Sequence, residues 1–324
     1  MQHKPLHNLD LTLYLIVKNE EIHLPDCLES MKGIWKELLI VDTGSTDKTK
    51  EIAKSYGARV LDFEWIEDFS AARNFALEHV QTEWVMMVDA DDTIHPDDKK
   101  RLLKAMETTI PENDITFLAY IYFGTREEKG VVHYFPRIWK TSKNYRYERP
   151  IHERLDFYKM GGVPAYYDIP ILHSKKISHS RSIERNLRML KAHLEKIPNE
   201  EHSLFYLGQE YRDSGRLPEA IEAFNNFIDA KPKAKERLYE AHYNLAKLNI
   251  NTGDVITAKK HLEKSILIYN QYIEPYLMLA EIEMNLFSVD RAINLLKHAK
   301  TLKLPKTEIP VNQKFYFGYA DQLM

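Results

Sequence analysis

Four apolar runs of strand length, each followed by a polar or acidic stretch, constrain the first part of this chain most. They are Leu11 to Val17 (LTLYLIV), Leu38 to Asp42 (LLIVD), Arg59 to Phe63 (RVLDF) and Trp84 to Asp89 (WVMMVD). None alternates cleanly between polar and apolar residues, the pattern of a strand covered on both faces. Helical stretches fall between them, over residues 21–31, 47–55 and 70–79. The order β-α-β-α-β-α-β predicts a parallel sheet with helices on both sides. Ligands of such sheets sit outside the carboxyl ends of the strands.

From about Ser182 the pattern changes. Apolar residues recur at three- and four-residue spacing, and Pro198, Pro232, Pro275 and Pro305 fall between helical pairs. Leu204, Leu207, Gly208, Tyr211, Ala220, Phe224 and Pro232 fit the helix-turn-helix spacing of a tetratricopeptide repeat. Leu245, Ala246, Ala258 and Leu262 repeat it, and Leu279, Ala280, Ala292 and Leu296 repeat it again. Small residues stand where paired helices must approach closely, and three such units suffice for a stable solenoid. The expected division is residues 1–180, α/β, and 181–324, all-α helical repeats.

Charge narrows the function. With 45 Lys and Arg against 48 Asp and Glu, the chain lacks the basic surplus of a protein held by nucleic-acid phosphates. The single cysteine, Cys27, cannot form an internal disulfide and fits a reducing compartment. The first apolar run starts too late and is too short for a signal peptide or a membrane span. The expectation is a cytoplasmic protein.

The chemistry concentrates where the apolar runs end. Asp89-Ala90-Asp91-Asp92 follows WVMMV, and alternation along a strand would put Asp89 and Asp91 on one side. Carboxylates there suit Mg²⁺ or Mn²⁺ bridging a diphosphate; helix capping by Asp92 or Thr93 is the plainer reading. A polar turn, Val41-Asp42-Thr43-Gly44-Ser45-Thr46-Asp47, and Lys18-Asn19-Glu20-Glu21 face the same edge. Neither the dinucleotide glycine pattern nor a phosphate-loop motif is present. Later, Arg137, Lys140, Lys143, Arg146 and Arg149 interleave with Trp139, Tyr145 and Tyr147, either a sugar-stacking segment or a loop with aromatic anchors.

LYLIVKNE, LLIVDTGSTDKT, DFSAARNFAL, WVMMVDADD and PIHERL, in this order, resemble the family 2 glycosyltransferases. The resemblance covers roughly residues 10 to 175 and is strongest to the branch of lipopolysaccharide-core and sublancin-type peptide S-glycosyltransferases, whose Gram-positive members carry a similar repeat region. It implies a GT-A fold with a Rossmann-like mixed sheet, a nucleoside-diphosphate sugar donor (UDP-sugar), Mg²⁺ or Mn²⁺, and inversion at the anomeric carbon. By the same resemblance, Val17, Asn19, Glu20, Asp42, Arg73, Asp89 and Ala90 surround the nucleotide, with Asp42 on the base. Asp91, Asp89 and His173 hold the metal. The residues alone also allow Arg73 to pair with Glu67 or Asp68.

An inverting transfer needs a base for the acceptor. Glu153 of IHERL is the first candidate, oriented by His152; Asp92 is its rival, and Glu153 could instead pair with Arg149 or Arg154. After His173, Lys175 and Lys176 offer charges to donor phosphates. The acceptor is a peptide, a protein or a glycan, held by the helical repeats; a homodimer is left open. Two other classes compete: an inactive scaffold of the same fold, and a nucleotidyltransferase.

Overall fold

The computed structural model describes residues 6–122, 130–173 and 179–323; Lys175 and Lys176 lie outside them. The chain divides into two compact units, Met1–Lys176 and Ile177–Met324.

The first unit runs β1 (Leu11–Val17), α1 (Leu24–Met31), β2 (Glu37–Asp42), α2 (Thr49–Ser55), β3 (Arg59–Asp62), α3 (Phe69–Glu78) and β4 (Trp84–Met87). Next come β5 (Asp92–Thr93), α4 (Pro96–Thr108), β6 (Ile115–Tyr122), β7 (Val131–Lys140), β8 (Tyr147–Glu148), β9 (Arg154–Leu155), α5 (Phe157–Met160) and β10 (Pro164–His173). The main sheet has the order β3-β2-β1-β4-β7-β6-β10-β5. Its first four strands are parallel, as the alternation with helices predicts. β7 then runs antiparallel to both β4 and β6, β10 is parallel to β6, and β5 is antiparallel to β10. The sheet as a whole is therefore mixed, the GT-A-like arrangement that the resemblance implies. Val17 lies opposite Asp42, and Tyr14 opposite Met87, so β1, β2 and β4 finish at one edge. Leu11, Leu13 and Leu15 of β1 pack with Leu24, Cys27, Leu28 and Met31 of α1 in the core below that edge.

The second unit is helical: α6 (His179–Lys196), α7 (Glu201–Asp213), α8 (Leu217–Asp229), α9 (Lys235–Asn251), α10 (Val255–Ile268), α11 (Glu274–Asn285), α12 (Val289–Ala299) and α13 (Tyr319–Leu323). The three expected repeats are the pairs α7/α8, α9/α10 and α11/α12. Their small residues Ala220, Ala246, Ala258, Ala280 and Ala292 are buried at the packing seams. Gly208 shows why: a Cβ there would stand 2.8 Å from the Phe224 ring. Tight turns join the first two pairs through Gly215 and Gly253, at φ of +75° and +83°, where glycine carries no steric penalty. No helix among the described residues is long and apolar enough to cross a membrane.

Candidate active site

The loops leaving β1 and β2 are laced together. Asn19, in the left-handed region at φ of 56°, accepts through Oδ1 from the Thr46 amide at 2.8 Å, and its own amide donates to Ser45 Oγ at 2.9 Å. The Glu20 amide donates to Thr49 Oγ1 at 2.7 Å, while its carboxylate turns to His23 at 3.1 Å. Burial raises the Glu20 carboxyl above its ordinary range. The Val17 carbonyl accepts from the Thr43 amide at 2.9 Å. Asp42 is fully buried; its Oδ1 accepts from the amides of Gly44 and Ser45 at 3.0 and 2.9 Å. Its Oδ2 is buried with no hydrogen-bond partner among the described residues. A buried carboxylate oxygen left open in this way asks for a donor.

β4 ends at Met87, before the acidic cluster. Asp89 to Asp92 form a turn closed by the Asp92 amide donating to the Asp89 carbonyl at 3.0 Å, so strand alternation does not govern them. The three carboxylates consequently point to different partners. Asp89 Oδ1 accepts from Arg73 Nη2 at 2.9 Å, and its Oδ2 lies 4.0 Å from Arg137 Nη1. Burial opposes the charge, but the two guanidiniums hold its carboxyl below the usual range. Asp92 is fully buried: Oδ2 accepts from the Asp89 amide at 2.9 Å and faces Arg137 Nη2 at 3.0 Å, and Oδ1 accepts from the Tyr120 hydroxyl at 2.7 Å. Neither Asp92 nor Thr93 caps α4; His95 does, through Nδ1 to the Asp97 amide. Ala90 between them is buried.

Asp91 meets no arginine among the described residues. His173 Nδ1 lies 3.4 Å from its Oδ1, and burial, with Asp89 and Asp92 nearby, pushes its carboxyl up to about 7. Tyr120 donates to Asp92 Oδ1 and sits 2.8 Å from His173 Nδ1. Ligand atoms of Asp91, Asp92 and His173 lie within 4.8 Å of one another. Asp92, rather than Asp89, joins the expected pair. A carboxylate and an imidazole, with the engaged Asp92 carboxylate behind them, suit Mg²⁺ or, better, Mn²⁺. A divalent cation would also supply the positive charge that Asp91 lacks, so the residues fit one.

Arg73, on α3, is buried, and the paired acids keep it firmly protonated. Its Nε donates to Glu153, its Nη2 to Asp89, and its Nη1 has no partner among the described residues. Pairing with Asp68 is corrected: Asp68 caps α3 through the Ala71 amide at 2.9 Å. Among the pairs the structure records, Glu153 is bonded to Arg73, a partner sixteen residues from Asp89 but eighty from Glu153. His152 precedes it in the loop between β8 and β9, at φ of 50°, a conformation costly for a residue with a Cβ. The sugar-stacking reading of the basic-aromatic segment is corrected, because Trp139, Tyr145 and Tyr147 are all buried anchors. Sequence reasoning missed Arg137 and Tyr120 as neighbours of the acids. The one signal was an arginine inside the apolar run YFPRIW, where a buried charge must find a partner.

A TPR repeat-containing protein of Synechococcus elongatus is 28% identical over 263 residues, 76% of this chain and 64% of the relative. The SPbeta prophage-derived glycosyltransferase SunS of Bacillus subtilis is 25% identical over 242 residues, 70% of this chain and 55% of its own length. This chain thus spans less than two thirds of either relative. The crystal structure of S. aureus TarS 1–349 in complex with UDP-GlcNAc superposes with a TM-score of 0.48 at 16% identity, covering 82% of this chain and 93% of that one. A tetratricopeptide repeat model matches residues 239–272, the α9/α10 pair and the turn after it. The family model described as glycosyl transferase family 2 matches residues 12–176, and the chain belongs to that family.

Proposed function

We propose that this protein is a metal-dependent, inverting glycosyltransferase that moves a sugar from UDP to a peptide, protein or glycan acceptor. Residues 1–180 form the transferase domain, and residues 181–324 form a repeat domain that engages the acceptor. The observation that carries the reading is one sheet edge with three open functions: the bare Asp42 Oδ2, the bare Arg73 Nη1 and the cation-deficient Asp91.

Each fits a part of the donor. Asp42 Oδ2 accepts from an imide N–H, which uracil has and cytosine lacks. Val17, Asn19 and Glu20 shape the loop around the nucleoside, chiefly by holding residues 43–49 in place. Asp89, held by Arg73 through one oxygen, has the other for the ribose. Arg73 Nη1 donates to a diphosphate oxygen. Asp91 and His173 are the metal ligands, with Asp92 fixing the imidazole rather than acting on substrate. A bound Mg²⁺ or Mn²⁺ would neutralise, as a Lewis acid, the charge that grows on the departing diphosphate.

Glu153 takes the acceptor proton as the acceptor oxygen or sulfur attacks the anomeric carbon and the sugar–phosphate bond breaks. The Arg73 guanidinium holds the Glu153 carboxylate in place through Nε. The alternative base, Asp92, has both oxygens engaged and no exposure to an acceptor. His152 sets the loop that presents Glu153.

The test is to incubate the protein with UDP-sugars and Mn²⁺ and to follow the leaving group. Release of UDP together with a glycosylated acceptor supports the proposal; release of pyrophosphate from a nucleoside triphosphate makes it a nucleotidyltransferase instead. Binding of UDP without turnover of any donor favours the inactive scaffold.

A further inference from the structure

Arg137 is a large charged side chain only 1% exposed, inside an apolar strand of the sheet. Burial of a guanidinium is costly unless it is paired, so its position needs a reason. Its Nη2 faces Asp92 Oδ2 at 3.0 Å, and its Nη1 lies 3.3 Å from the Met87 carbonyl, where β4 stops, and 4.0 Å from Asp89 Oδ2. Its planar face rests 4.4 Å from the Tyr120 ring centroid and 5.1 Å from that of Phe135. Tyr120 in turn donates to Asp92 and touches His173 Nδ1. One guanidinium thus contacts the strand end before the acidic turn and the carboxylate that closes the turn. It also stacks on the phenol that sets the imidazole.

We infer that Arg137, with Tyr120 beneath it, is a positioning residue for the cation site: it never touches substrate, and it fixes Asp92 so that Asp91 and His173 present their ligand atoms together. This rests on the proposed metal role of Asp91 and His173. A lysine in its place keeps the charge but lacks the planar fork that reaches Asp92 and the Met87 carbonyl while stacking on Tyr120. Groups that orient ligands in this way usually carry about 10- to 100-fold of metal affinity.

The experiment measures Mn²⁺ affinity of the full chain by electron paramagnetic resonance, without any donor, for wild type, Arg137→Lys, Tyr120→Phe and Asp91→Ala. UDP affinity in EDTA serves as a readout that a general loss of structure would also move. Arg137→Lys is expected to weaken Mn²⁺ binding about tenfold or more while UDP affinity in EDTA stays within about twofold. Wild-type Mn²⁺ affinity in Arg137→Lys overturns the inference. If that variant does not fold, Tyr120→Phe decides in the same way. Asp91→Ala separates the two levels: if it too binds Mn²⁺ like wild type, the metal reading itself fails. If Asp91→Ala alone loses binding, only the role of Arg137 falls.

Discussion

Buried acids meet different partners in the two units. In the helical unit, Glu283 is almost fully buried, with Lys259 at 2.8 Å and Arg291 at 3.1 Å, and Glu240 has Arg237 at 2.7 Å. Bases match these acids, across helices for Glu283 and along α9 for Glu240, whereas Glu274, raised to about 7 by burial, is met by the Asn312 amide and the Tyr316 hydroxyl. In the sheet unit, Asp89 and Asp92 are matched by Arg73 and Arg137, but among the described residues Asp91 beside them has His173 as its one recorded cationic neighbour. A fold gains nothing from crowding a third carboxylate into such a place. A raised acid crowded by two others at a sheet edge points to a ligand, whereas Glu283, matched by two bases, serves the structure.

The sharpest way to break this contrast is Asp91→Ala. Turnover should fall by roughly 10²–10³-fold or more, and EDTA should do the same to wild type. The melting temperature at neutral pH should nevertheless be equal to or above that of wild type, since a carboxyl raised to about 7 is ionised only at a cost to the folded state. A lower melting temperature in Asp91→Ala would put this acid in the structural class.

Glu153→Gln comes next. It keeps the shape and loses basicity, so kcat should drop by roughly 10²–10⁴-fold with donor affinity near normal. Asp92→Asn should behave differently, lowering Mn²⁺ affinity and thermal stability together, because Arg137 then stays buried without its anion. A thiol acceptor ionises more readily than a hydroxyl and would shrink the Glu153 effect, which itself reports on the acceptor.

Glu283→Ala gives the counterpart in the helical unit. Lys259 and Arg291 lose their shared acid, and unfolding free energy should fall by about 1–3 kcal/mol, while UDP binding is unchanged. Calorimetry and a UDP titration on the same sample check both halves.

The smallest effect is a pH dependence confined to the repeats. His242 is buried, its Nδ1 lies 2.9 Å from His261 Nδ1, and burial followed by His261 and Lys264 lowers its pKa to about 4. The folded state therefore resists the proton that the unfolded chain takes up near 6.5. Stability is fully present above about pH 6.5 and declines between there and about pH 4. His242→Gln should flatten that part of the pH–stability curve.

Sequence alone determined what depends on neighbours along the chain. Apolar runs of strand length between helical stretches fixed the four parallel strands, because a strand buried on both faces has no polar side to show. The recurrence of alanine and glycine from Gly208 to Ala292 fixed three helix pairs, because close helix packing excludes larger side chains at those seams. The acids at the strand ends and the family likeness also stood in the sequence, together with Glu153 and His173 as candidates. Tertiary structure decided the pairings between residues far apart. The antiparallel return of β7 brings Arg137 under Asp92; β10 brings His173 to Asp91; and the loop before β9 brings Glu153 to Arg73. It also ended β4 at Met87, so that a turn rather than a strand aims Asp89, Asp91 and Asp92 in separate directions. Periodicity reports which face of its own element a residue occupies; which charge it meets across the sheet is set by strand order and register, and those follow from packing the whole unit.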